Sequence, residues 1–452
     1  MSKRAGKAES NKKLFWRLHH WVGLYTGILI GVLSLTGAVA VFIPEIDELI
    51  VKHYYDAASA PSPSGIPQFG KSIDSLIKRY PDYSSLTINL PDQDGQTAKA
   101  DMTIRPPDQD GLVRYDFFID AGMDRIVGQR NQQNSLANYL RQMHVRLYEG
   151  YWGRQLVGLG GIALAVVTIT GLLIYGNFMK KQAWPNLRKT LDMRIIMADW
   201  HKLLGISAMA FNLVIAITGA WLGLQPWLMR WLEIETPNTF KAPIVMEADA
   251  DKTQYIDWQA VLAATKTEFP ELIPRHLAPS TNGSASITVR GNIAGQIYER
   301  NINTLVISKS GYTPIFKYDV REQSFGHKFY FIQEAVHFGD FGGLLLKAVY
   351  AILGLTSGFL SISGFVIFLF RRNKKKGNST APTSPWKTTF VYSMLVLLFL
   401  IVIALISLFI GYTQAALVAG IVINVLLITL IAYSLVRYVI VRCRGKRQAG
   451  IH

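Results

Sequence analysis

The sequence predicts an α-helical integral membrane protein of six transmembrane helices, four of them from a tandem duplication, with two small α+β modules outside the bilayer. Three observations predict it. Uncharged runs at Trp21–Phe42, Leu156–Phe178, Leu203–Met229 and Ala348–Phe370 each exceed the roughly 18 residues that mark a membrane helix. The uncharged block Thr388–Val436 is about twice the roughly 20 residues one span needs, and Gly411-Tyr412-Thr413-Gln414 offers the bend for a hairpin. The second observation is a repeat, which is sought before any local assignment. Leu18-His19-His20-Trp21-Val22-Gly23 answers Trp200-His201-Lys202-Leu203-Leu204-Gly205, with Thr36-Gly37 and Thr218-Gly219 each 17 residues after the histidine. His144 precedes Thr170-Gly171 by 26 residues, as His337 precedes Ser363-Gly364.

The third observation is charge. The net charge of +16 sits in four clusters, Lys3–Arg17, Lys180–Arg194, Arg371–Lys376 and Arg437–Arg447. Their placement in alternate connections follows the positive-inside rule and excludes a nucleic-acid surface. Both termini are then cytoplasmic, and the two long segments lie outside. The first apolar run is too long for a cleavable signal and lacks a small-residue cleavage site. Cys443 is the single cysteine, so no disulfide or thiolate metal site forms within one chain.

Taken in order, residues 1–44 are a basic start and the first span, ending before Pro44. Residues 45–145 form the first outer module. Ser72–Tyr80 has helical periodicity and stops at Pro81; Leu86–Leu90, Ala98–Arg105 and Val113–Ile119 alternate as strands between turn signals. An amphipathic helix over Ser135–Tyr148 carries His144 into the second span, 146–179, through the aromatic belt residues Tyr148, Tyr151 and Trp152. A cytoplasmic loop, 180–199, leads to the third span, 200–231. The second module, 232–336, repeats the plan, with a helix over Ile256–Phe269 and strands at Ala285–Arg290, Gly295–Asn301 and Thr304–Ser308. Then come the fourth span (337–370), a basic loop (371–387), the hairpin (388–436) and a basic tail (437–452).

This topology puts His19 and His201 near the cytoplasmic surface and His144 and His337 near the outer one. A lone histidine at a membrane interface is ordinarily just an interfacial polar residue, and small-residue pairs are ordinarily packing devices. Four histidines in register across a duplication are different. If the copies pack about a pseudo-two-fold axis, each pair faces itself, as two imidazoles do on the two faces of one haem iron. Two ligands per pair suit haem better than zinc, which takes three or four. Two haem b are expected, because no Cys-x-x-Cys-His motif offers covalent attachment. Gly23 and Gly205, one turn beyond their histidines, leave room for a flat ring. Arg17, Arg141 and Arg146 are close enough in sequence to reach propionates. No catalytic base, nucleophile or phosphate loop has convincing spacing.

These residues resemble the PepSY-associated transmembrane family: the two His-headed helices with their Thr-Gly pairs, the Phe117–Gly122 strand and turn, His144 with Gly160-Gly161 and Thr170-Gly171, and His337-Phe338-Gly339-Asp340-Phe341-Gly342-Gly343. The resemblance covers about residues 14–370. It implies a four-helix core below PepSY-like periplasmic domains, and its better understood members resemble inner-membrane di-haem ferric-siderophore reductases of Gram-negative bacteria. The same four histidines match the haem ligands. The last two helices lie outside the resemblance; partner docking, quinone access or anchoring are open to them. The leading expectation is an inner-membrane electron conduit. A cytoplasmic flavoprotein, an NAD(P)H-linked donor or quinol supplies the electron, and a ferric siderophore or other ferric chelate accepts it. Reduction frees the iron because Fe(II) is held poorly by hard oxygen donors. The alternatives are a PepSY-type binding or inhibitory module with structural histidines, and an iron-chelate permease.

Overall fold

The computed structural model describes residues 2–56, 67–91, 97–106, 111–179, 187–190, 192–234, 255–281, 284–298 and 300–375. The hairpin expected at 388–436, the basic loop before it beyond residue 375, and the tail fall outside these residues. Among the described residues four stretches are long and apolar enough to cross a membrane: Asn11–Ala40, Gly150–Tyr175, Met209–Trp231 and Asp340–Arg371. The helices that carry them are α1 (Ser2–Ala40), α6 (Gly150–Met179), α8 (Met209–Trp231) and α11 (Gly343–Lys375).

Small residues let these helices close into a bundle. A Cβ on Gly161 would stand 2.6 Å from Ala220 N and one on Gly160 2.8 Å from Leu33 Cδ1. The adjacent glycines thus let α6 approach α8 on one side and α1 on the other. Gly223 and Gly158 meet backbone to backbone further along the α6–α8 crossing. Helix α1 packs on α11 as well, and the ring closes through α7 (Met193–Ser207), which packs on α11 ahead of α8.

The third span is interrupted. A single helix was expected over Trp200–Trp231, but α7 (Met193–Ser207) ends at Ala208 (φ −92°, ψ 4°) and α8 starts afresh at Met209. His201 therefore rides on α7, which packs against α11. The outer histidines also sit off the spans. His144 is on α5 (Leu136–Arg146), and Leu147, Tyr148 and Gly150 take positive φ between α5 and α6. His337 is on α10 (Phe325–Phe338), with Gly339 and Gly343 at φ 70° and 62° before α11. Each pair is a helical hairpin pinned across its turn: Tyr148 Oη donates to Tyr139 O, and Tyr350 Oη to Val336 O, both at 2.9 Å.

The two modules expected outside form one eight-stranded antiparallel sheet, in the order β4-β3-β2-β1-β5-β6-β7-β8. The first module supplies β1 (Ser85–Asn89), β2 (Thr97–Ile104), β3 (Val113–Asp120) and β4 (Arg125–Asn131); the second supplies β5 (Ile273–Pro279), β6 (Ser286–Asn292), β7 (Asn303–Ser308) and β8 (Pro314–Tyr318). The seam is β1 on β5, with Ile88 opposite Leu277 and Asn89 opposite His276. Helices α4 (Gly70–Arg79) and α9 (Trp258–Glu268) join one continuous core with the apolar face of both halves. Ile88 and Leu277 are fully buried in it, each contributing about 1.5–3 kcal/mol of transfer free energy.

Three strands escaped the sequence reading for a physical reason. Strand β4 is a polar edge, β8 begins with Pro314 at the opposite edge, and β5 carries Pro274 and Pro279 beside a bulge; prolines and edges both erase the alternating signal. Conversely, Gly295–Asn301, expected as a strand, is a turn region, with Gly295 (φ 75°) and Asn301 (φ 54°) in the left-handed region.

The short helix α2 (Ile43–Ile50) couples sheet to bundle. Its Asp47 takes Arg130 of β4 at 2.6 and 2.8 Å, and Arg130 also reaches Asp116 of β3 at 2.9 Å. Its Glu45 takes Lys347 of α11 at 2.7 Å.

Two expectations follow. Gly161→Val forces α6 off α8 and should lower stability by roughly 1–3 kcal/mol, read as thermal unfolding of the full chain in detergent. Gly27→Ala, with nothing within 4 Å of the new Cβ, should leave it unchanged. At the sheet seam, burial pushes the His276 imidazole below its ordinary 6.5, with Arg290, Lys99 and Arg275 adding to the effect and Asp101 opposing it. A depressed histidine keeps its full contribution above the unfolded-state value and loses it as pH falls below. The unfolding temperature should thus drop from pH 7 to pH 5, and His276→Gln should flatten that slope; an identical slope in the variant would remove His276 as its cause.

Candidate functional site

The four histidines meet in two pairs. His19 and His201 face each other near the bundle end remote from the sheet, with ring centroids 6.3 Å apart and planes at 87°. His144 and His337 do so at the sheet end, 6.5 Å apart with planes at 29°. Along α1, the 17 residues from His19 to Thr36 separate the two levels by about 25 Å at 1.5 Å per residue.

Each ring is held by the small-residue motif of the other span in its own half. Thr170 Oγ1 lies 3.3 Å from His19 Nδ1, Thr36 Oγ1 3.1 Å from His144 Nδ1, Ser363 Oγ 2.9 Å from His201 Nδ1, and Thr218 Oγ1 2.9 Å from His337 Nδ1. Each hydroxyl hydrogen is already committed to its own helix. Thr36, Thr170 and Thr218 donate to the carbonyls of Val32, Val166 and Val214 at 2.8, 2.6 and 2.7 Å, and Ser363 to Leu360 O at 3.1 Å. The oxygens can therefore only accept, so Nδ1 carries the proton in every case. Val167 O, 3.0 Å from His19 Nδ1, requires the same tautomer independently. Nε2 of all four rings is left as an unprotonated donor atom.

The glycine after each hydroxyl residue makes the space. A Cβ would come within 3.0 Å of His144 Cε1 at Gly37, 3.2 Å of His19 at Gly171, 3.1 Å of His337 at Gly219 and 3.5 Å of His201 at Gly364. The Thr-Gly and Ser-Gly pairs are thus cradles for imidazole rings, a role that matched spacing could not reveal. The spacing joins each histidine to a motif on its own or the following span; contact joins His19 to Thr170 and His144 to Thr36.

The geometry tests a haem at each pair. Two imidazoles bound to opposite faces of one metal ion, at about 2 Å from each nitrogen, have centroids a little over 6 Å apart, which both pairs match. Between His19 and His201 lies a cavity of about 330 Å³, lined by Gly23, Gly27, Gly171, Gly205 and Gly364 among others. This falls within the range of small-molecule and cofactor sites. At His144 and His337 the space is about 60 Å³, with Phe211, Phe338 and Tyr350 in its walls. Ring spacing fits there, and the aromatic walls must withdraw for a macrocycle to enter.

Arg17, Arg141 and Arg146 are exposed, and none lines either cavity. The basic groups lining the larger cavity are Arg371 and Lys202, beside Trp16 and His20, whose rings stack at 5.0 Å. Near His337 the cation is Arg300, over the Phe338 ring at 4.1 Å and paired with Glu334 and Asp340. Arg371 belongs to a basic cluster visible in the sequence; Arg300 lies in the turn region read as a strand, and no local signal marks it. Gly23 and Gly205 do line the larger cavity, and a Cβ on either meets a neighbour only at 3.8 Å, so their missing side chains widen the cavity and serve no helix crossing.

The fold and site define a helical membrane protein with an attached antiparallel sheet domain and two facing histidine pairs stacked along one bundle. The chain belongs to the PepSY-associated TM region family, whose model matches residues 16–371. It is also 23% identical over 253 residues to an uncharacterized protein of Pseudomonas aeruginosa, a match spanning 52% of this chain and 63% of that protein, less than two thirds of its length.

Proposed function

We propose that this chain is a transmembrane electron-transfer protein holding two haem b, one between His19 and His201 and one between His144 and His337. The observation that supports it is the fourfold cradle: four hydroxyls hold the Nδ1–H side of four imidazoles whose ring centroids stand in pairs 6.3 and 6.5 Å apart. A binding or inhibitory module would need these histidines only for packing, which gives no reason for that arrangement. When bound, the haems supply one-electron carriers at two depths, so that neither hop spans the bilayer core of about 30 Å.

The chain's own residues do the rest. The cradles would hold the four imidazoles as haem ligands, and a haem ligated by two imidazoles would suit electron transfer over oxygen binding. Lys202 and Arg371 line the cavity at the end remote from the sheet and can neutralise carboxylates there. By the positive-inside rule that end is cytoplasmic in a bacterial inner membrane, and a flavoprotein, nicotinamide-linked or quinol donor would supply the electron. The sheet domain then stands in the periplasm over the second pair, and a ferric siderophore or similar ferric chelate is the acceptor, released as Fe(II).

The purified full chain should show two haems by pyridine haemochrome. A chain with none would sink this reading, and a count of one would remove the paired arrangement. Electron paramagnetic resonance separates the sites. Ligand planes at right angles leave the two iron orbitals that overlap the rings nearly equal in energy, whereas near-parallel planes split them. His19 and His201 should give the more anisotropic low-spin signal, and His19→Ala should abolish that one while keeping the more rhombic one. Thr36→Val keeps the shape of the cradle and loses its acceptor. It should weaken the sheet-side haem by about 10–100-fold, read as haem loss on dilution, with the other centre intact.

A further inference from the structure

The positive-inside rule leaves one group of cations unexplained. Arg141, Arg146 and Arg154 stand at the sheet end of the bundle, the side where the rule disfavours basic residues. Arg141 and Arg146 are on α5, on either side of His144 in sequence, and Arg154 is near the start of α6. The end of α5 presses on α6, so closely that a Cβ on Gly153 would stand 1.7 Å from Arg146 O. Arg154 lies within electrostatic reach of both Arg146 and Arg141. Three positive charges thus share one corner.

Arg154 is already engaged. Pro226 inside α8 has no N–H to give Leu222 O. Arg154 takes that carbonyl instead, from Nε at 3.0 Å and Nη2 at 2.7 Å, and reaches Gln225 Oε1 at 3.2 Å. Arg141 and Arg146 are exposed, and neither has a carboxylate partner among the described residues. The nearby acids are taken up elsewhere. Helix α2 packs on α5, but its Asp47 holds Arg130 and its Glu45 holds Lys347. Glu334 pairs with Arg300. Glu149 on the connecting turn and Glu48 on α2 are exposed and offset only part of the charge.

The second copy shows that the fold does not require this cluster. At the 193-residue offset that relates His144 to His337, the matched positions are Glu334, Gly339 and Lys347. There the cation is neutralised, with Lys347 Nζ 2.7 Å from Glu45 and 3.6 Å from Asp340. The negative surface potential that favours basic residues beside a span belongs to the cytoplasmic leaflet, so it does not account for arginines at the other face.

We propose that Arg141 and Arg146 form the docking patch for the terminal electron acceptor, and that this acceptor is an anionic ferric chelate, recognised through carboxylate or catecholate oxygens. The proposal rests on the two-haem reading. His144 is on the same helix, so a chelate at the patch is separated from that imidazole by little more than the width of α5, about 10 Å. One electron leaves the reduced protein and converts Fe(III) of the chelate to Fe(II); no bond in the protein forms or breaks. Opposite charge also steers the approach, an effect that salt screens.

The test uses the full chain in nanodiscs of zwitterionic phosphatidylcholine, reduced stoichiometrically with dithionite. Stopped-flow reoxidation by ferric citrate, an anion, should slow about tenfold at low salt in Arg141→Gln with Arg146→Gln. Reoxidation by the cation hexaammineruthenium(III) should not slow, and haem content should be unchanged, since neither residue lines a cavity. Arg141→Lys with Arg146→Lys should keep most of the ferric citrate rate. Equal ferric citrate rates in wild type and the Gln variant would overturn the proposal, and so would equal slowing with both oxidants. Phosphatidylglycerol retained by the purified wild type and lost from the Gln variant would reassign the patch to lipid and overturn it as well. Gallium(III) citrate, which accepts no electron here, should bind the wild type more tightly than the Gln variant by calorimetry; equal binding would remove the patch. A wild type without haem absorbance would sink the two-haem reading instead and leave the gallium result standing, so the two failures are told apart.

Discussion

Everything in the bundle answers to one contact, the hydroxyl oxygen on a histidine Nδ1. A threonine or serine inside a membrane helix ordinarily spends its hydrogen on its own helix, as Thr36, Thr170, Thr218 and Ser363 do here. That leaves an oxygen that can only accept, in a medium with no water to compete. An imidazole brought against it must present Nδ1–H and therefore bares Nε2 on the far side. The neighbouring glycine is the steric half of the same device, because the ring edge occupies the volume a Cβ would take. Repeated four times, the contact ties the spans of each half together and leaves Nε2 of every ring without a proton.

The halves are alike in this and unlike elsewhere. The cradles repeat faithfully, and the sheet repeats faithfully enough that its strand order reads the same outward from the β1–β5 seam in both directions. The differences cluster in the middle of the second half, where α7 gives way to α8 at Ala208 and the polar pair Asn212 and Ser357 replaces two aliphatic residues. These departures from symmetry lie in the wall that both cavities share. The cavities also differ, about 330 Å³ against about 60 Å³, so the two sites are unequal in space as well as in polarity.

Ion pairs join the sheet domain to the bundle. Asp47 and Glu45 on one short helix hold Arg130 of the sheet and Lys347 of the fourth span. The two modules share one core and one sheet, so neither can move far without the other, and the domain stands over the sheet-side pair as one body.

Much was legible in the sequence. Uncharged length alone marks the spans, because a bilayer tolerates nothing else there. The register of His19 with His201 and of His144 with His337 placed the pairs, since a duplication about one axis leaves few ways for equivalent residues to meet. What the sequence could not show is what depends on which helix lies beside which. His19 shares a span with Thr36 yet is held by Thr170, and His144 is held by Thr36, so the exchange between spans appears only on packing. The merging of two modules into one sheet rests on a short seam at Ile88 and Asn89 that no local pattern announces. The break at Ala208 falls in an apolar run with neither proline nor glycine at the site, and Arg17, Arg141 and Arg146, near the histidines in number, line neither cavity. Local chemistry determined which residues matter, and tertiary packing decided their partners, because a hydrogen bond between helices is chosen by the neighbour and not by the spacing along the chain.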